Sequence, residues 1–116
     1  MKITMTVQDQ NLAQNSSLIA CIGFGEAAQA LVKGWTGQGG LRFAAYDRKT
    51  DAAATAADKQ QDYDRFSVTG HAGPADLLAR AEIVFSLVTA DQAASAAIAA
   101  SPHLRPGAFY FDGNSC

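Results

Sequence analysis

The chain has 116 residues, 48% of them hydrophobic and 17% charged, with a net charge of −2. A domain of this size buries roughly two-thirds of the surface its unfolded chain exposes, so a single domain with a sizeable core is expected. No basic stripe marks a nucleic-acid surface, no apolar stretch suffices to span a bilayer and no basic-then-apolar leader opens the chain, so neither nucleic acid nor membrane is expected as a partner and a cytoplasmic location is the default.

Residues 1–17 are polar without a sustained period and read as a loose N-terminal extension. The first strand is expected over residues 18–23, where Leu18, Ile19, Ala20, Cys21 and Ile22 lead into Gly23-Phe24-Gly25-Glu26-Ala27-Ala28. This is the strand, tight turn and helix of a dinucleotide-binding unit, with alanine in the third glycine place. Gly23 allows the sharp turn, and Gly25, lacking a Cβ, lets a pyrophosphate approach the backbone. Ala28 keeps the helix close to the sheet, and the helix start offers unpaired amides and a positive dipole end. The helix is expected over 25–35, with Ala27, Ala30, Leu31, Gly34 and Trp35 as its buried face and Trp35 capping the core. Gly37, Gly39 and Gly40 end it.

A second strand is expected over 41–46, followed by Asp47-Arg48-Lys49-Thr50 and an alanine-rich helix over 51–61 capped by Thr50 or Asp51. A short third strand is placed near 66–69, and Gly73-Pro74 opens a helix over 75–80. Residues 82–88 (EIVFSLV) read as a buried parallel strand. A helix over 91–100 stops at Ser101-Pro102, and the last strand spans 108–111. Five strands alternating with four helices imply an α/β fold of Rossmann type: a doubly wound parallel sheet in the order 3-2-1-4-5, occupying residues 18–116.

Such a sheet binds ligands beyond the carboxyl ends of its strands, where the strand order reverses. The loops at that edge carry Gly23 to Gly25, Asp47 to Lys49, Leu87 to Thr89 and Asp112 to Ser115. Asp47 lies 19 residues after Ala28 and can accept two hydrogen bonds from a ribose diol, which favours NAD. Arg48 and Lys49 argue the opposite, since cations beside the same ribose welcome a 2′-phosphate. The choice between NAD and NADP stays open. Thr89 either bonds to the coenzyme or caps the following helix, and Asn114 and Ser115 either reach a nicotinamide ribose or substrate or form a plain polar turn. His71 and His103 read as surface loop histidines. Cys21 and Cys116 form no expected disulfide or metal pair, and no catalytic acid, base or metal set can be assembled.

Together the stretches IACIGFGEAAQALVKGW, AYDRKT, EIVFSLVTADQA and PGAFYFDGNSC resemble the N-terminal coenzyme domain of the 6-phosphogluconate dehydrogenase and 3-hydroxyisobutyrate dehydrogenase family of β-hydroxyacid dehydrogenases. The resemblance covers about residues 18–116, and the strand ending in FDGNS is its more specific part. It implies that Gly23, Phe24, Gly25, Glu26 and Ala27 hold the pyrophosphate and that Asp47, Arg48 and Lys49 hold the adenosine ribose. Val88 and Thr89 would line the coenzyme path, with Asn114 near the nicotinamide and Ser115 near the substrate. Asp47 stands where the NADP-preferring members carry asparagine. The family reaction moves a hydride between a small 3-hydroxyacid and NAD or NADP, with a lysine as acid and base. That lysine, the substrate loop and the helical second domain through which family members form homodimers have no counterpart here. The chain alone is therefore expected to bind coenzyme without turnover. Two other readings are a stand-alone nucleotide-sensing module and an S-adenosylmethionine-dependent methyltransferase domain, the latter fitted less well by Ala28 and the spacing from Gly23 to Asp47.

Overall fold

The structure, a computed structural model, describes residues 17–35 and 39–113. Its strands are β1 (Ser17–Ile22), β2 (Leu41–Tyr46), β3 (Thr69–Gly70), β4 (Ile83–Ser86) and β5 (Phe109–Asp112). Its helices are α1 (Glu26–Trp35), α2 (Ala53–Arg65), α3 (Pro74–Arg80) and α4 (Ala93–Ala100). The strands form one parallel sheet in the order β3-β2-β1-β4-β5, as the alternation of elements predicts. The expected extension over residues 1–17 lies outside the described residues, apart from Ser17, which opens β1.

Five of the six β1 residues are buried, because β1 is the central strand and helices cover both of its faces. Alternate side chains divide the core in two. Leu18, Ala20, Ile22, Ala44 and Val84 pack against Leu77 and Leu78 of α3 and Ala100 of α4. On the other face Cys21 and Ala45 meet Ala28 and Val32 of α1 and Tyr63 of α2. Ala28 is fully buried, so α1 lies close on the sheet as expected.

Several boundaries and faces differ from the sequence expectation. The buried stripe of α1 is Ala28 and Val32 flanked by half-buried Leu31 and Trp35, while Ala27, Ala30 and Gly34 face solvent. Alanines around the whole helix carry too little apolar contrast to set its phase; the branched Leu31 and Val32 do. Trp35 does cap the core edge, with ring centroids 6.3 Å from Phe43 and 5.7 Å from Phe85.

After β2 the chain closes a 3-10 turn, Arg48–Asp51, before α2 begins, and α2 has no side-chain cap. The Asp47 carboxylate takes the Lys49 N–H and the Asp47 carbonyl takes the Thr50 N–H, which tightens that turn first. α2 then runs on to Arg65, and Ser67, at φ 56°, reverses the chain into a β3 of only two residues.

The 91–100 helix likewise starts as a 3-10 turn, Ala90–Gln92, and Pro102 tightens its end into another, Ser101–His103, rather than stopping it. A proline in the first turn sacrifices no donor that the turn needs. β4 is buried on one face only. Phe85 stacks on Phe111 at 5.4 Å, and Phe111 and Phe109 remain exposed, since no described helix covers that part of the sheet.

Candidate functional site

The register sets the site. Ile22 stands beside both Tyr46 and Ser86, and Ser86 beside Asp112, so four strands end in one row. The next residues continue the ladder: the Gly23 N–H donates to the Tyr46 carbonyl (2.8 Å), Leu87 to Ile22 (2.8 Å) and Gly113 to Ser86 (3.0 Å). Four loops therefore leave the sheet side by side, with the reversal of strand order between β1 and β4.

At the first loop, Gly23 has φ +86°, and a Cβ there would stand 2.8 Å from the Leu87 carbonyl oxygen. Both facts demand glycine, because the left-handed region is costly for other residues and the β4 backbone cannot yield. Gly25 differs. It has nothing within 4 Å of its would-be Cβ, and its carbonyl accepts the first α1 hydrogen bond, from the Gln29 N–H at 3.0 Å. The amides that follow have no intrahelical acceptor, which makes this helix start a natural anion seat.

Phe24, between the two glycines, is turned inward and fully buried. Its ring meets Tyr63 at 5.3 Å and Phe66 at 6.0 Å. Its N–H donates to Asp47 Oδ2 (2.8 Å), and its carbonyl accepts from Lys59 Nζ (2.8 Å) and Gln29 Nε2 (3.1 Å). Lys59 is 6% exposed, and its ammonium lies 3.1 Å from Asp62 Oδ2 and 3.9 Å from Asp47 Oδ2. Burying that charge without partners would be strongly unfavourable, and here it has three. Asp62 is held below the usual carboxylate range: partial burial works against this, but Lys59 and Arg65 outweigh it.

Asp47 completes the clasp. Its N–H donates to the Tyr63 hydroxyl (2.9 Å), Oδ1 accepts from the Lys49 N–H (2.9 Å), and its carbonyl accepts from Thr50 Oγ1 (2.8 Å). Every polar atom of Asp47 thus has a partner inside the protein. Tyr63 owes its position to Gly70, where a Cβ would fall 2.3 Å from the ring. The sequence reading missed Lys59 and Tyr63. Their signal was present: they lie four residues apart, on one helix face that continues toward Phe66, and a lysine on an aromatic face calls for a partner.

The loops surround a cavity of about 450 Å³. Of the expected site residues, Gly23, Gly25, Asp47, Arg48, Lys49, Val88 and Thr89 line it together. Phe24, Glu26 and Ala27 do not: Phe24 lies behind the turn, and the other two face solvent. Thr89 makes no side-chain capping bond, while its carbonyl accepts from the Gln92 N–H. Tyr46, Gln92 and Ser95 add polar lining. Tyr46 donates its hydroxyl to Asp51 (2.6 Å); burial first, then that carboxylate, pushes its pKa up to about 12. Asn114 and Ser115 lie outside the described residues. His71 sits half-buried beside Asp76 and His103 is exposed, and neither lines the cavity. Among the described residues no group of histidine, cysteine and carboxylate side chains could hold a metal. No described helix is long and apolar enough to cross a membrane.

The model of the NAD-binding domain of 6-phosphogluconate dehydrogenase matches residues 18–116. The chain belongs to this family. The domain therefore takes NAD or NADP as its coenzyme, and the residues fit one. Gly25 leaves open space beside the amides of the helix start, Arg48 and Lys49 stand at the cavity rim, and Val88 offers an apolar wall.

Among solved structures, a conserved hypothetical protein from Sinorhizobium meliloti is 33% identical with a TM-score of 0.80, covering 90% of this chain and 34% of its own. A 1-pyrroline-5-carboxylate reductase from Streptococcus pyogenes is 15% identical with a TM-score of 0.55, covering 67% of this chain and 27% of its own. The D-mandelate dehydrogenase of Rhodotorula graminis is 16% identical with a TM-score of 0.60, covering 83% and 27%. The last two show the fold alone. The chain spans about a third or less of the length of these structures. No curated protein matches it.

Proposed function

We propose that this domain holds the coenzyme for an oxidoreductase that moves a hydride between a small 3-hydroxyacid and the nicotinamide. The observation that carries the reading is the cavity at the strand reversal. Gly23 and Gly25, just before α1, line it after β1, Arg48 and Lys49 after β2, and Val88 and Thr89 after β4. In this reading the α1 amides bind the pyrophosphate, and the loop after β2 binds the adenosine ribose. The apolar β4 loop carries the coenzyme across the sheet toward the β5 end. The coenzyme supplies the hydride chemistry; these residues bind, orient and shield it. Proton transfer to the substrate oxygen falls to groups outside the described cavity, whose titratable lining is Tyr46, Asp47, Arg48 and Lys49, all on the adenosine side.

Titration of the chain with NADH and NADPH, followed by coenzyme fluorescence, tests the binding half. Incubation with the oxidised coenzymes and a panel of 3-hydroxyacids tests the other. Saturable binding without reduction of coenzyme is expected. Absence of binding to either coenzyme overturns the proposal, and turnover by the chain alone overturns the assignment of proton transfer elsewhere.

A further inference from the structure

An aspartate after the second strand ordinarily speaks for NAD, because its carboxylate both accepts from the ribose diol and repels a 2′-phosphate. Here both functions are weakened. Both Asp47 carboxylate oxygens already accept backbone N–H groups, from Phe24 and Lys49. Its negative charge faces the ammonium of buried Lys59 at 3.9 Å. Asp51, the other carboxylate of this loop, is taken up by the Tyr46 hydroxyl. Beside Asp47 the loop shows the cavity two cations, Arg48 and Lys49, both exposed at its rim and neither in an ion pair among the described residues.

We propose that Lys59 sets the coenzyme preference of this domain by neutralising Asp47 from behind, and that the domain prefers NADP(H) to NAD(H). The inference rests on the coenzyme reading above and adds its specificity. Lys59 touches no part of the coenzyme; it is a positioning residue. It binds the Phe24 carbonyl, offsets the Asp47 charge, and leaves Asp47 as a brace between the two loops. The field at the ribose is then that of two cations, the setting that favours a phosphate. Asp62 shares the Lys59 ammonium at 3.1 Å and is itself paired with Arg65, so the two carboxylates of the cluster face two cations.

The test compares affinities for 2′,5′-ADP and ADP, and for NADPH and NADH, in the chain and in Lys59→Met and Lys59→Arg. The unsubstituted chain should bind the 2′-phosphorylated member of each pair more tightly. Lys59→Met keeps the bulk of the stem but leaves the Asp47 charge uncompensated. It should reduce the preference about tenfold, the scale of one unit charge acting through a partly solvated site. Lys59→Arg should largely restore it.

Loss of fold weakens both members of a pair alike, so the ratio isolates the electrostatic role. If Lys59→Met does not fold, Lys59→Arg and an Arg48→Ala variant still report, the latter by losing affinity for 2′,5′-ADP selectively. A preference for NADH and ADP in the unsubstituted chain overturns the inference while leaving the coenzyme reading intact. An unchanged ratio in Lys59→Met does the same. No binding of any of the four ligands overturns both.

Discussion

Alanine at Gly23 and alanine at Gly25, two residues apart, should have opposite consequences. At Gly23 the new Cβ stands 2.8 Å from the Leu87 oxygen, 3.1 Å from the Leu87 carbonyl carbon and 3.1 Å from Val88 Cγ1, at a φ of +86°. The left-handed backbone costs about 1–2 kcal/mol for a residue with a Cβ. Forcing a methyl against the β4 backbone adds about 1–3 kcal/mol, because β1 and β4 are hydrogen-bonded neighbours and cannot separate freely. Gly23→Ala should therefore lose about 2–5 kcal/mol, moving a urea midpoint by roughly 1–3 M at an m-value of about 1.5 kcal/mol/M. Trp35, the single tryptophan, sits half-buried against Phe43 and Phe85 and reports unfolding by fluorescence. At Gly25 the new Cβ meets nothing, so only the helix-cap preference is lost, less than about 1 kcal/mol. Coenzyme affinity should nonetheless fall at least tenfold, since in the proposed reading that Cβ stands where the pyrophosphate approaches. Equal stability of Gly23→Ala and the parent chain would refute the packing argument. Undiminished coenzyme binding by Gly25→Ala would refute the placement of the phosphates.

Tyr63→Phe removes the acceptor of the buried Asp47 N–H and should cost about 1–3 kcal/mol in the same urea assay, with the m-value unchanged. Ser86→Ala should be neutral or slightly stabilising, because Ser86 Oγ is buried with no hydrogen-bond partner in the described structure. Stability should fall steeply in alkali. Burial pushes the Cys21 thiol up to about 12 from 9.0, and Tyr46 and Tyr63 up to about 12 from 10.0. Above the unfolded values the unfolded chain binds fewer protons than the native one, so stability is full below about pH 9 and is lost as pH rises toward 12. Denaturant midpoints measured from pH 8 upward check this, and a flat profile would contradict it.

The fold was legible because every strand but β3 is a short, largely apolar run and most of the crossovers carry an alanine-rich helix. β2 carries its expected bounds, residues 41–46, because a largely apolar run lies there between a glycine cluster and Asp47. The strand order followed from that alternation and the handedness of crossovers. The phase of α1 did not follow, since alanine is at home on either side of a helix. The clasp behind the glycine turn was legible only in part, through the shared helix face of Lys59 and Tyr63. Lys59 reaches the Phe24 carbonyl across 35 residues of sequence, and its burial depends on the packing of α2, which no local pattern states. Asp47 shows the same limit. Its spacing marked it as a ribose ligand, but that spacing says nothing of the two backbone amides its carboxylate also accepts.

Amide chemical-shift mapping of the labelled chain during a titration with NADPH tests the central claim most directly. The largest shifts should fall on Gly25, Arg48, Lys49, Val88 and Thr89, the rim of the cavity at the strand reversal. Shifts centred instead on the exposed aromatic face around Phe109 and Phe111, or none at saturating coenzyme, would contradict the account.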